Sequence, residues 1–324
     1  MKSSKIRLCL FGTSILNEYI SQNYKKNHIE HMCIITHAID NRDFKLLNKH
    51  RLYPQKKNIK CNIYYLPKYD EEKIIKILKK NKINFGLSSG CRFIFKNKII
   101  KYFNKKFFNI HDSYLPFYKG GAPLSYSIMN QEKYIGVSFH EINKKIDGGK
   151  VFYKKKIPIK KNAKPIDALN YFYNFVKKNI FKFIKLKRKI SIHNNSQGTY
   201  FSRLNSEING FLNLNWTAKE CISFINSFSD PYPGAHVLYK GKNVVIKNAK
   251  IYSNKKYHSF LNGKITNVGN DYIKVIMGNK IVELKNLFFK DKIIIPKLFF
   301  KSGETIYNLD ADLTRAKKLI HKYF

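Results

Sequence analysis

Short apolar runs alternate with amphipathic stretches over the first 150 residues, the pattern of strands separated by helices and hence of a parallel α/β sheet. The runs predict strands at Ile6–Phe11, Met32–Thr36, Asn62–Leu66, Phe85–Ser89 and Phe107–Ile110, and further strands at Ile135–His140 and Val151–Ile157. Asp70 is placed to cap a helix with Ile74, Ile75, Ile77 and Leu78 inward and Lys73, Lys76, Lys79 and Lys80 in water. Pro165 opens a helix to about Lys187 with an apolar stripe of Ala168, Leu169, Phe172, Phe175 and Val176. The polar stretch Ser191–Gly198 reads as a linker. Beyond about Phe211 the texture changes. One helical segment, Thr217–Phe228, precedes short strands at Ala235–Tyr239, Val244–Ile246, Gly263–Asn267, Ile273–Met277 and Ile281–Leu284, separated by Gly and Asn turns. That texture argues for a small β-barrel. The tail Leu313–Phe324 reads as a short basic helix.

A length of 324 residues fits two domains, and 44% hydrophobic with 15% aromatic residues excludes global disorder. No run approaches the roughly 18 apolar residues that span a bilayer, and the start reads as a first strand rather than an export signal. Five scattered cysteines (Cys9, Cys33, Cys61, Cys91, Cys221), odd in number and without a CxxC pair, disfavour a disulfide framework and a zinc site and fit a reducing cytoplasm. The net charge of +41 points to an anionic partner. Only seven of the 62 basic residues are arginine, however, and bidentate base and phosphate recognition leans on arginine. The excess is +30 over residues 1–199 and +11 over 200–324, so it is not concentrated on the C-terminal barrel. Abundant Lys, Asn, Ile, Phe and Tyr match what AT-rich codons yield, and part of the charge is compositional.

Chemistry concentrates between Phe107 and Pro158. Asn109 and His111 lie two apart at a strand end, so their side chains share one side of the sheet. Asp147 precedes Gly148-Gly149, where the backbone can turn back toward that strand. An amide, an imidazole and a carboxylate converging at the carboxyl ends of parallel strands make an acyl-transfer site: two donors for an oxyanion and one group to move a proton. Taken singly, each also reads as a turn or capping residue, and spacing alone names no reaction.

Asn109-Ile110-His111, Ser113-Tyr114-Leu115-Pro116, Gly120-Gly121-Ala122-Pro123, Gly136-Val137 and Asp147-Gly148-Gly149 together resemble the formyltransferase family, which includes methionyl-tRNA formyltransferase, glycinamide ribonucleotide transformylase and the amino-sugar N-formyltransferases. Phe228-Ser229-Asp230-Pro231-Tyr232-Pro233-Gly234-Ala235 resembles the family's C-terminal signature, and Thr199–Leu204 the segment before it. The resemblance implies a Rossmann-like, doubly wound, mostly parallel sheet in a catalytic domain over 1–190, a linker over 191–210, and an open, OB-like β-barrel over 211–324. It implies Asn109, His111 and Asp147 as the catalytic trio. For the folate it implies Ser113, Tyr114, Leu115 and Pro116, with Arg92, Ile94 and Phe95 in the loop after the fourth strand, and His140. Gly12-Thr13 aligns with another family loop. The implied reaction moves a formyl group from 10-formyltetrahydrofolate to a primary amine, with no metal and no cysteine chemistry.

Three departures bear on the amine. Thr36–Asp43 lacks the Asp-Arg-Pro sequence and basic glycine loop of the tRNA branch. Tyr114 and Asp112 replace a leucine and a small residue. His140 resembles the glycinamide and amino-sugar branches, although a histidine at a strand end can also be structural. The expected acceptor is therefore an amino-sugar nucleotide, with methionyl-tRNA as the alternative and a non-enzymatic, basic nucleic-acid-binding protein as a lesser one. Tyr114, Phe117 and Tyr118 are the expected lining on the acceptor side. A homodimer through the barrel is compatible with the sequence.

Overall fold

In the computed structural model, residues 5–37, 48–186 and 198–307 are described. The Ala38–Asp43 part of the second-strand loop, most of the linker stretch and the basic tail lie outside them. The chain divides into two compact units. One comprises the residues through Pro123, Tyr134–Ile159 and Ala168–Ser202; the other comprises Leu124–Lys133, Lys160–Asp167 and the residues from Arg203 onward.

The first unit is built on seven strands: β1 (Ile6–Phe11), β2 (Ile29–His37), β3 (Asn62–Leu66), β4 (Phe85–Ser88), β5 (Phe107–His111), β7 (Tyr134–Glu141) and β8 (Val151–Pro158). They lie in the order β3-β2-β1-β4-β5-β7-β8. The first five are parallel; β7 runs antiparallel to β5, and β8 antiparallel to β7. Burial on both faces explains why β1 and β2 read as continuous apolar runs rather than alternating ones. Cys9, Phe11, Cys33, Ile35 and Phe107 face one way into a core with Ile74, Ile77 and Leu78 of the helix Glu71–Lys80 and Ile99 and Phe103 of the helix Asn97–Phe103. The Asp70 side chain accepts from Lys73 N–H, and acidic residues in the first turn with lysines in the last complement the helix dipole. Period-two alternation then puts Asn109 and His111 on the same face as Phe107.

Strand order reverses between β1 and β4, the place where open α/β sheets leave a crevice at the strands' carboxyl ends. Gly12, at φ +113°, lies so close to the loop after β4 that a Cβ there would stand 2.3 Å from Ser89 O. A two-stranded pair, β6 (Lys119–Gly120) with β9 (Tyr200–Phe201), sits beyond the end of β5.

The second unit is an antiparallel sheet of β10 (Ala235–Tyr239), β11 (Lys242–Ser253), β12 (Ile265–Val268), β13 (Tyr272–Met277), β14 (Lys280–Phe289) and β15 (Lys292–Ile293), ordered β10-β11-β14-β13-β12 with β15 on β14. Residues 303–307 touch both edges: Tyr307 exchanges hydrogen bonds with Leu238, while Ile265 and Gly263 pair with Gly303, Glu304 and Ile306. Both edge strands are thereby covered, and the sheet curls into the barrel-like form expected. The helix Ala218–Ser227, closed at its start by a Thr217–Glu220 capping box, packs its apolar side into the curl beside Val237, Ile246 and Val282. β11 and β14 run well past the predicted Val244–Ile246 and Ile281–Leu284: β11 continues through polar, half-exposed residues that carry little apolar signal, and β14 continues across Lys285-Asn286, a polar break before Leu287, Phe288 and Phe289.

Candidate active site

The end of β5 carries Asn109 and His111, and antiparallel register sets His140 of β7 directly opposite Asn109. The β7–β8 loop bends back at Asp147, which takes a left-handed φ of +47° that Asp tolerates better than most side chains. Gly149 permits this return, since a Cβ there would lie 1.8 Å from Glu141 O. The four side chains meet. Asn109 Nδ2 lies 3.2 Å from His140 Nε2 and donates to Asp147 Oδ1 at 3.5 Å. His140 Nε2 is 3.4 Å from Asp147 Oδ1, and His111 Nε2 is 3.6 Å from Asp147 Oδ2. Gly120 N–H donates to Asp147 Oδ2 at 2.9 Å.

Neighbouring carbonyls fix the protons on both imidazoles. His111 Nε2 faces Tyr118 O at 3.0 Å and His140 Nδ1 faces Glu141 O at 2.9 Å, so each of these nitrogens carries hydrogen. Burial works to raise the pKa of Asp147, but the charge of His111, the hydrogen bond and charge of His140, and the Gly120 N–H outweigh it and hold the carboxyl well below its usual range. Asp112 Oδ1 stands 3.6 Å from His111 Nδ1, on the side of the ring away from Asp147. Desolvation raises the Asp112 carboxyl against the pull of His111.

The loop after β5 is held from within. Ser113 Oγ donates to Phe117 O at 2.9 Å. The fully buried Ser138 of β7 accepts from Leu115 N–H at 3.1 Å and donates to Ser113 O at 2.7 Å. Lys154 Nζ donates to Leu115 O, and the Lys154 and Lys156 ammonium groups sit 4.6 and 5.2 Å from the Tyr114 ring centre. Ser113, Leu115 and Pro116 are buried, leaving Tyr114 as the more open side chain of the four. Gly136 allows β7 to pass under this loop: a Cβ there would meet Tyr114 N at 1.8 Å.

The loop after β4 places Arg92 and Ile94 in the open, while Phe95 packs edge-on against Phe11 and Phe107 at 5.0 and 4.7 Å and reads as part of the core. Arg92 N–H donates to Nε2 of the buried His37 at 3.0 Å, and Phe93 sits between His37 and Tyr69. His37, Ser138, Gly120 N–H and Tyr118 O join these loops only in the folded chain. Ser138 had a signal: Gly136, Ser138 and His140 alternate with Ile135, Val137 and Phe139, so the polar face of β7 was written at period two. Among the described residues, no group of three or more His, Cys, Asp or Glu is arranged to hold a metal ion.

Family models match over both parts of the chain: formyl transferase over residues 5–180, and the formyl transferase C-terminal domain over residues 205–303. The chain belongs to the formyl transferase family. This formyltransferase is 26% identical over 295 residues to methionyl-tRNA formyltransferase of Mycoplasma genitalium, covering 87% of this chain and 91% of that one. It is 30% identical over 227 residues to the bifunctional polymyxin resistance protein ArnA of Wigglesworthia glossinidia brevipalpis, covering 68% of this chain but only 34% of the relative. In fold it is similar to WlaRD, a sugar 3N-formyl transferase solved with dTDP and 5-N-formyl-THF (TM-score 0.63, 21% identity, 90% of this chain and 100% of that one). It is likewise similar to the N-formyltransferase of Helicobacter canadensis solved with folinic acid and dTDP-3-aminofucose (TM-score 0.61, 22% identity, 87% and 100%). The formyltransferase is thus an enzyme that takes its formyl group from 10-formyltetrahydrofolate.

Proposed function

We propose that the acceptor is the primary amine of an amino-sugar nucleotide, and that Asn109, His111 and Asp147 carry the transfer with His140 beside them. The observation that carries the reading is His140, set by strand register within 3.4 Å of Asp147 and opposite Asn109, a position at which the sequence resembles the amino-sugar and glycinamide branches. The fold likeness to two sugar N-formyltransferases over their whole length agrees with it.

In this reading the residues after β4 and in the Ser113–Pro116 loop hold the folate, Arg92 and Ile94 being exposed there and the Arg92 backbone being fixed by His37. Asn109 exchanges its long contact with Asp147 for a hydrogen bond to the formyl oxygen as charge develops on it, and His111, anchored through Nε2–H on Tyr118 O, supports that charge through its ring. Asp147, ionised across the working pH range, takes the proton that the amine loses as its nitrogen bonds to the formyl carbon. The bond from that carbon to the folate nitrogen breaks, and the proton ends on the departing nitrogen. Tyr114, Phe117 and Tyr118 form the acceptor side in this scheme.

Likeness over nearly the full length to the Mycoplasma methionyl-tRNA enzyme favours a second acceptor, methionyl-tRNA. Release of tetrahydrofolate from 10-formyltetrahydrofolate, followed in parallel with amino-sugar nucleotides and with charged methionyl-tRNA, separates the two. Turnover with a sugar nucleotide alone is the expected result; turnover with the tRNA alone overturns the acceptor.

A further inference from the structure

The chain comes back to the active-site loop at Gly198–Phe201, about ninety residues after that loop begins. Tyr118 N–H donates to Thr199 Oγ1 at 2.9 Å, Lys119 N–H to Thr199 O at 2.9 Å, and Gly121 N–H to Phe201 O at 2.9 Å. The Tyr118 ring stacks on Phe201 with centroids 5.5 Å apart and planes 22° from parallel. The fit leaves no spare room. A Cβ on Gly120 would lie 2.2 Å from Phe201 O, and one on Gly198 the same distance from Pro116 O.

Two of the residues gripped in this way, Tyr118 and Gly120, hold two members of the trio. Tyr118 O accepts from His111 Nε2–H, and Gly120 N–H donates to Asp147. Tyr118 and Ala122 both take left-handed backbone angles, φ +57° and +52°, with no glycine to ease them. A loop in such a conformation persists where its surroundings over-determine it, and here the surroundings include Gly198–Phe201.

We propose that Gly198–Phe201 is a strap that sets the reactive geometry of the formyl-transfer site, with Thr199 and Phe201 as positioning residues acting through Tyr118 on His111 and through Gly120 on Asp147. The proposal rests on the assignment of His111 and Asp147 to the reaction. Catalytic competence then depends on a stretch outside the five-residue core of β5 and outside every motif that marks the trio in the sequence. A misplacement of the trio by a fraction of an ångström lowers kcat while leaving a preformed folate pocket intact.

The test uses the full-length chain and the acceptor that supports turnover in the panel above. Thr199→Val combined with Phe201→Ala is expected to lower kcat about tenfold or more, with KM for the folate within about threefold of wild type and a single cooperative unfolding transition that shows the variant is folded. Thr199→Ser, which keeps the acceptor oxygen, is expected to retain wild-type kcat, while Thr199→Val alone lowers it; this pair decides the matter if the double variant does not fold. Wild-type kcat in the folded double variant, or equal losses in Thr199→Ser and Thr199→Val, overturns the strap. Asp147→Asn is assayed alongside. An inactive Asp147→Asn with a fully active double variant overturns the strap alone, whereas a fully active Asp147→Asn overturns the reading of the site and the strap with it.

Discussion

Replacing Asp147 with Asn keeps the side chain's shape and its left-handed backbone, which Asn adopts as readily as Asp, and removes the charge. A carboxylate only accepts, and the Gly120 and Asn109 N–H groups point donors at it from 2.9 and 3.5 Å. An amide makes one of those two oxygens a donor. If the new nitrogen faces Gly120, two donors meet at 2.9 Å; if it faces Asn109, they meet at the longer contact of 3.5 Å. The second arrangement is the less costly, and it weakens the Gly120 bond from the charged class, about 1.5–3 kcal/mol, to the neutral class, about 0.5–1.5 kcal/mol. Loss of the proton acceptor is the larger effect, worth about 10²–10⁴ in rate. Together these predict a kcat lower by about 10³-fold, or about 4 kcal/mol of barrier, with folate KM little changed. Single-turnover tetrahydrofolate release with the folded variant measures this. A loss smaller than about tenfold would refute the assignment of Asp147 as the group that moves the proton.

Other outcomes follow from the same geometry. Ser138→Ala removes a hydroxyl that serves Leu115 N–H and Ser113 O in a fully buried place, and should cost about 1–3 kcal/mol in urea denaturation; an unchanged midpoint would show that water or a rearranged loop replaces it. Asp147 has a lowered pKa in the fold, so the stability it adds is complete above the unfolded value near about 3.9 and drains away as pH falls below that. Wild type should therefore lose stability more steeply than Asp147→Asn from about pH 4 downward, and parallel curves would contradict the shift. Burial pushes the thiols of Cys61, Cys91 and Cys221 up to about 12. Iodoacetamide at pH 8 should leave activity intact, because the thiolate is the reactive form; rapid stoichiometric inactivation would place a cysteine in the chemistry.

The central strands of the first unit were legible because a buried strand must be apolar along its length, and the edge strand Asn62–Leu66 because its β-branched and aromatic residues favour a sheet; the predicted bounds for Ile6–Phe11 and Asn62–Leu66 are those observed, and the others differ by a few residues at their ends. The Asp70 cap was legible because its partner is three residues away. Asn109, His111 and Asp147 could be read as a group from motif spacing, and period-two geometry alone put Asn109 and His111 on one face. The long strands β11 and β14 were half legible, since a polar stretch in each (Lys247-Asn248, Lys285-Asn286) interrupts the apolar pattern.

What the tertiary structure alone decided is every contact made between residues far apart in the chain. Strand order and the antiparallel run of β7 set His140 against Asn109, and no local preference encodes that register. The same holds for Ser138 under the Ser113–Pro116 loop and for His37 beneath Arg92, where one polar side chain answers a backbone group 25 or 55 residues away. The pairing of Lys119–Gly120 with Tyr200–Phe201 is two residues long on each side, too short to leave a periodic trace. Hydrophobic period and capping chemistry act over a few residues and are written locally; the positions of donors and acceptors around Asp147 arise from where packing brings separate segments together, and so exist only in the folded chain.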